Sequence, residues 1–145
     1  MKDVVISIRS IHALGEEDED RIEFTTDGLY HYEDGTGYLS YLESEVTGLP
    51  GTETCVEIRP DEIVVDRRGG VTSRMVFRRG EKNRFQYETP YGMATMGMDT
   101  KRIRHDFNER GGSMVVDYVL NVEHAVVERS RLTLDVREQP SSFGA

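Results

Sequence analysis

Apolar and polar residues alternate nearly one for one along most of this chain. Val4, Ile6 and Ile8 alternate with Val5, Ser7 and Arg9. Met114, Val116, Tyr118, Leu120 and Val122 form one apolar face, with Ser113, Asp117 and Asn121 on the other. Ser130, Leu132, Leu134 and Val136 alternate with Arg129, Arg131, Thr133 and Asp135. A period of two places one face of each segment against a core and the other in water, which is the pattern of a half-buried β-strand. No segment carries a convincing helical period. The best window, LSYLESEV over 39–46, reads equally well as a strand.

The punctuation between these segments is of the hairpin kind. Asp27-Gly28 divides IEFTT from LYHYE, and Asp34-Gly35, Thr47-Gly48 and Pro50-Gly51 follow. Gly69-Gly70, Arg79-Gly80 and Gly111-Gly112 separate later strands. Asx-Gly and Gly-Gly pairs supply the positive φ that tight hairpins require. In TPYGMATMGMDTKRIRHDF, residues 89–107, Pro90 ends the strand FQYET, because it fixes its own φ and lacks a donor. One strand or two follow, the second being KRIRHDF, and Gly97 predicts a bulge or bend in the first. Short strands joined in this way form an antiparallel meander. About ten of them avoid exposed edges best by closing on themselves. The expectation is an all-β fold, a single closed or nearly closed antiparallel β-barrel over 1–138. GEEDED, 15–20, is expected to be a flexible acidic loop, and 139–145 a flexible C-terminal tail.

Composition sets limits on this picture. The chain has 145 residues, enough to bury a core as one domain. No apolar run approaches the roughly 18 residues of a membrane-spanning helix. The segment MKDVVISIRS alternates where a signal peptide would be continuously apolar, so nothing points to export. The lone Cys55 can form no internal disulfide, which fits a cytoplasmic location. The net charge is −9 but unevenly spread: −13 over 1–66, +7 over 67–104 and −3 over 105–145. The whole repels nucleic acid at long range, yet its middle is locally basic.

Four separated segments in this order resemble the YwiB-like family of small bacterial proteins. They are YLESEVTGLPGTET, RRGGVTSRMVFRRG, FQYETPYGMATMGMDTKRI and GGSMVVDYVLNV, and the resemblance runs from about Val4 to about Val136. It implies a calycin-type, lipocalin-like β-barrel. It implies no activity, cofactor or catalytic residue, since the family is one of unknown function, and a fold alone does not supply one.

Candidate chemistry is sparse. His105 alternates with Ile103 and Phe107 and should point inward, where a hydrogen-bonded core histidine is a commoner fate than a base or ligand. His12, His31 and His124 lack metal-ligand spacing, and no metal or other cofactor is expected. The run from Glu16 to Asp20 lacks the ligand alternation and central glycine of a calcium loop. Cys55 shares a side with Glu57 and Arg59. A neighbouring arginine can lower a thiol pKa, but an ordinary thiol is the simpler reading. No nucleophile elbow, phosphate loop or dinucleotide fingerprint occurs.

Aromatic and polar residues on inward faces are more informative. Phe85, Tyr87 and Thr89 alternate, as do Leu39, Tyr41 and Glu43, whose inner face is ambiguous. Met75 and Phe77 share a face. A barrel of about eight or more strands either fills with side chains or holds one small ligand, and a packed core is the commoner outcome. Glu43 and Arg78 are candidates for an ion pair. The sequence reading adopted is a non-enzymatic module that takes a small, partly apolar ligand, with Tyr41, Glu43, Tyr87, Thr89 and Tyr118 as its lining. The alternative is a protein- or nucleic-acid-interaction factor that uses a basic face over 67–84. That face would comprise Arg67, Arg68, Arg79 and Lys82, among Arg74, Arg78 and Arg84. A homodimer built on barrel edges is a further expectation, and no membrane association is expected.

Overall fold

In a computed structural model of the chain, residues 1–13, 19–44, 49–122 and 125–139 are described. They form ten strands: β1 (Lys2–Ala13), β2 (Glu19–Glu33), β3 (Thr36–Leu42), β4 (Thr52–Ile58), β5 (Ile63–Gly69), β6 (Ser73–Phe77), β7 (Lys82–Thr89), β8 (Gly92–His105), β9 (Gly112–Val122) and β10 (Ala125–Glu138). All belong to one sheet in the order β6-β5-β4-β3-β2-β1-β10-β9-β8-β7. Each strand therefore lies beside its sequence neighbour, and β1 and β10 join the two halves antiparallel from Val4↔Glu138 to Ala13↔Arg129. The remaining seam, between β6 and β7, carries a single bridge, Thr72↔Glu88. Its two backbone hydrogen bonds are both 2.9 Å long, and Asn83 Nδ2 donates to the Val76 carbonyl at 2.9 Å beside them. The barrel is nearly closed.

The alternation is the interior. Val4, Ile6, Leu39, Val56, Ile58, Ile63, Val65, Phe77, Met114, Val116 and Leu134 are buried in one cluster, each such side chain contributing about 1.5–3 kcal/mol by leaving water. One end of the barrel is plugged. Tyr30 is fully buried, its ring lies 5.8 Å from that of Phe107, and its hydroxyl donates to the Asn108 carbonyl at 2.7 Å.

The turns follow the sequence in most places. Asp34 and Gly35 both have positive φ, 51° and 79°, between the paired Glu33 and Thr36, which makes a two-residue hairpin loop. Pro90 and Tyr91 turn between the paired Thr89 and Gly92. Thr47-Gly48 lies outside the described residues.

Asp27-Gly28 differs from expectation. It is no turn but part of the 15-residue β2. Gly28 lacks a positive φ and faces inward opposite Val4. A Cβ there would lie 2.4 Å from Ile6 Cδ1 and 2.6 Å from the Ser40 carbonyl oxygen. The glycine serves close packing of β1, β2 and β3, and not chain reversal. Gly97 likewise marks no bulge. The strand irregularity falls between Thr100 and Arg102, and Gly97 leaves room for the Asn121 side chain, 2.2 Å from where its Cβ would stand. The segment 92–105 is accordingly one strand. Of the acidic segment, Glu19 and Asp20 open β2, and 15–18 lie outside the described residues. Gln139 is held, donating from Nε2 to Asp27 Oδ1 at 2.9 Å, whereas 140–145 lie outside the described residues.

Gly28→Ala is expected to lower stability by about 1–3 kcal/mol, because its Cβ meets a backbone oxygen that cannot move aside cheaply. A urea denaturation midpoint equal to the wild type's would refute the close-packing role.

Candidate functional site: a half-open cavity in the barrel

The end of the barrel opposite Tyr30 is not filled. A cavity of about 410 Å³ opens there between the C-terminal ends of the odd-numbered strands. Its walls are mostly apolar, with Ile8, Met75, Phe85, Met96, Leu120 and Leu132 prominent among them. Tyr41, Glu43, Tyr87 and Tyr118 also line it. Four of the five residues singled out by alternation therefore meet on one wall system. The fifth, Thr89, lies outside it: its hydroxyl accepts from the Tyr91 amide at 3.1 Å and donates to the Gly92 carbonyl at 3.1 Å, so it builds the β7–β8 turn. The ambiguous face of β3 is settled, since Leu39, Tyr41 and Glu43 are all buried.

Two polar groups interrupt the apolar wall. In the first, Glu43 Oε1 accepts from the Thr54 hydroxyl at 2.8 Å and lies 3.9 Å from Arg67 Nε. Arg67 therefore faces the interior, with its side chain only 18% exposed. Its Nη1 sits 3.7 Å from Met75 Sδ, and its Nε is buried without a hydrogen-bond partner. The expected Glu43–Arg78 pair does not form. Arg78 Nε binds Glu62 at 3.0 Å on the outside, because residue 78 falls one step past the inward-facing Phe77.

The second polar group lies across β1 and β10. His12 Nδ1 is 2.5 Å from Glu128 Oε1 and 2.9 Å from the Ser130 hydroxyl. That hydroxyl also donates to Glu128 Oε1 at 2.9 Å. A carboxylate only accepts, so it assigns the neutral ring's proton to Nδ1 and leaves Nε2 as an acceptor for the Ser10 hydroxyl, 2.6 Å away. Ser10 and His12 both line the cavity. Sequence reading missed this line. Ser10 and His12 are two apart on one strand face, but Glu128 joins them only through the β1–β10 register.

Burial raises the phenol pKa of Tyr41, with the Glu43 carboxylate adding to it. Burial also raises that of Tyr118, against the opposing pull of Arg67. At the plugged end Tyr30 is pushed up to about 12, again mainly by burial.

The other candidates lie apart. His105 is half-buried, with Nε2 3.3 Å from the Pro60 carbonyl oxygen. His31 pairs with Glu33 at 3.1 Å and stacks on Tyr38, while His124 lies outside the described residues. Cys55 is exposed, and its thiol pKa is raised by partial burial and by Glu53, which together outweigh Arg68. It is not an activated thiol. Among the described residues no three His, Cys, Asp or Glu side chains are arranged to hold a metal ion. The basic residues lie on more than one face, although Arg74, Arg78 and Arg84 line one surface pocket together. Arg67 is internal, Arg68 is exposed beside Asp66 at 4.0 Å, and Arg79 Nη2 donates to the Ile103 carbonyl at 2.9 Å. Lys82 is exposed opposite Asp99 on the neighbouring strand. Arg74 is paired with Asp66 at 3.1 Å.

Residues 6–134 match the family described as a domain of unknown function, DUF1934. The chain belongs to this family. It is 31% identical over 101 residues to the uncharacterized β-barrel protein YwiB of Bacillus subtilis (strain 168), covering 70% of each chain. It is also similar to the crystal structure of the ywiB protein from Bacillus subtilis. The TM-score is 0.84 at 24% identity, over 95% of this chain and 92% of that one. The likeness establishes the barrel fold. Among the described residues no helix is long and apolar enough to cross a membrane.

The raised phenol pKa values predict a loss of stability at alkaline pH. A buried tyrosine is neutral when folded, so a folded pKa above the unfolded value near 10 leaves stability intact below pH ~10 and removes it as pH rises through about 12. Absorbance at 295 nm should show that Tyr30, Tyr41 and Tyr118, of the seven tyrosines, ionise only together with unfolding. Ionisation of all seven near pH 10 in folded protein would contradict their burial.

Proposed function

We propose that this protein is a binding module that takes a small, partly apolar ligand into the open end of its barrel, in the lipocalin-like manner. The reading is supported above all by the cavity itself. Its volume of about 410 Å³ falls within the roughly 300–1,000 Å³ of small-molecule sites, and its composition matches theirs: apolar walls with a few convergent polar groups. The methionines at 75 and 96 suit a wall that adapts to its occupant. Tyr87, half-buried at the mouth, offers a flat apolar face with a polar tip. A cytoplasmic setting, in which the exposed Cys55 thiol stays reduced, accords with this reading. Wild-type protein should brighten the neutral dye Nile red, and Tyr87→Ala should weaken that binding about threefold to tenfold with an unchanged far-UV spectrum, as expected for losing one aromatic contact worth about 1 kcal/mol. A dye that ignores the wild-type protein would count against the cavity as a site, and unaltered binding by the variant would make Tyr87 packing alone.

A second reading, of a different class, is favoured by one observation. Ser10, His12 and Glu128 stand in the order hydroxyl, imidazole, carboxylate, with 2.6 Å and 2.5 Å between their partnered atoms, as an activated nucleophile requires. On an ester, Ser10 Oγ would bond to the carbonyl carbon as its proton passes to His12 Nε2. That proton would leave with the alcohol, and water would release the acid. A fluorophosphonate probe should then label Ser10, and Ser10→Ala should abolish both labelling and p-nitrophenyl butyrate hydrolysis. An unlabelled, inactive wild type removes this reading. No observation favours a macromolecular partner bound through 67–84 to the same degree: Arg67 faces the interior, and Arg68 and Arg74 are drawn to the same Asp66.

A further inference from the structure

Among the described residues, Arg67 is the one side chain of the cavity wall that carries a permanent positive charge. Its guanidinium has five N–H donors in a planar fork. Among the described residues Nε is buried with no hydrogen-bond partner, and Nη1 meets the weak thioether acceptor of Met75 at 3.7 Å. Glu43 Oε1, 3.9 Å from Nε, is beyond hydrogen-bond reach and is turned to the Thr54 hydroxyl. A neighbouring polar atom is in the same state: Ser73, paired with Arg67 across β5 and β6, has its hydroxyl buried without a partner. A desolvated cation with unmet donors is costly unless something supplies acceptors.

We propose that the ligand of this cavity is an amphipathic monocarboxylate, with its carboxylate on the Arg67 guanidinium and its apolar body along Met75, Phe85 and Leu132. The inference rests on reading the cavity as a ligand site. Two coplanar oxygens match the guanidinium fork, and the charge compensates a cation that Glu43 reaches only at a distance. An alcohol or amide offers one neutral acceptor. A dianionic head group such as a phosphate monoester is disfavoured by the Glu43 carboxylate beside Arg67 and by Glu128 at the His12 line. A cationic head would meet Arg67 itself. The apolar wall sets the remainder of the ligand, because chain or ring carbons are what Met75, Phe85 and Leu132 can cover.

Isothermal titration of the full-length protein with decanoate, decanol and decylamine at pH 7.5 tests this directly. Decanoate is expected to bind at least ~10-fold more tightly than decanol, the worth of one charge-assisted bidentate contact, and decylamine more weakly than either. Arg67→Met should erase the preference for decanoate while keeping decanol binding. Should that variant fail to fold, Arg67→Lys, which keeps the charge and loses the fork, should reduce the preference several-fold. Glu43→Gln, which keeps an acceptor for Thr54 but removes the competing charge, should tighten decanoate. Equal wild-type affinities for decanoate and decanol would overturn the carboxylate inference and leave the binding reading standing. So would a preference that survives Arg67→Met. If none of the three binds although Nile red does, only the carboxylate inference falls. If Nile red is refused as well, both fall.

Discussion

The pairing of the first strand with the last governs this molecule. β1 and β10 run side by side over ten residues of register, from Val4↔Glu138 to Ala13↔Arg129, and that contact turns a meander into a barrel. Without it, two strand edges would lie open and the inward alternation of Val4, Ile6 and Ile8 would have no opposite wall. With it, every inward side chain of one half-sheet faces those of the other. The same pairing carries chemistry, because it brings Glu128 and Ser130 to His12 across more than a hundred residues of sequence. Such non-local closure is entropically expensive to reach and slows folding.

Closure on one side leaves the seam on the other. β6 and β7 are consecutive in sequence but share only the Thr72↔Glu88 bridge. β6 is the shortest strand, five residues, while β8 has fourteen. Strands of unequal length cannot all reach both ends. At the Tyr30 end the longer elements meet, and the Asn108 turn completes the plug. At the other end β3, β5 and β6 stop short while β1 and β2 continue, and the interior opens. The cavity is thus a consequence of strand length as much as of side-chain choice.

The barrel was legible because a period of two, broken by Gly pairs, leaves few other folds. Tyr41, Glu43, Tyr87 and Tyr118 could be named because alternation tells which side chains share a face. Errors arose where one residue type serves two purposes. Gly28 and Gly97 looked like turn and bulge, but each makes room for a neighbour, Ile6 and Asn121 respectively. No local pattern separates these uses, since the crowding atom belongs to another strand. Thr89 has the phase of the lining residues but lies one turn too far along β7. Arg67 looked like part of a basic surface because it sits beside Arg68. Adjacent residues on a strand point to opposite faces, so only the phase of β5, fixed by Ile63 and Val65 inside, shows that Arg67 goes in and Arg68 out.

The inward turn of Arg67 is the least economical choice in the core. An apolar residue at the same position would pack against Met75 and Phe85 with no desolvation penalty, and replacing buried charge by well-packed apolar side chains often stabilises a protein. The Glu43 carboxylate offsets part of the penalty as an ion pair at 3.9 Å, too far for a hydrogen bond. Thr54 directs its hydroxyl to Glu43, while Arg67 Nε is buried without a hydrogen-bond partner among the described residues. The two interior ends therefore differ in kind. The Tyr30 end satisfies its hydroxyl within the chain and is finished as a core, whereas at the Arg67 end Nε and the Ser73 hydroxyl are buried without a partner among the described residues, beside an apolar volume.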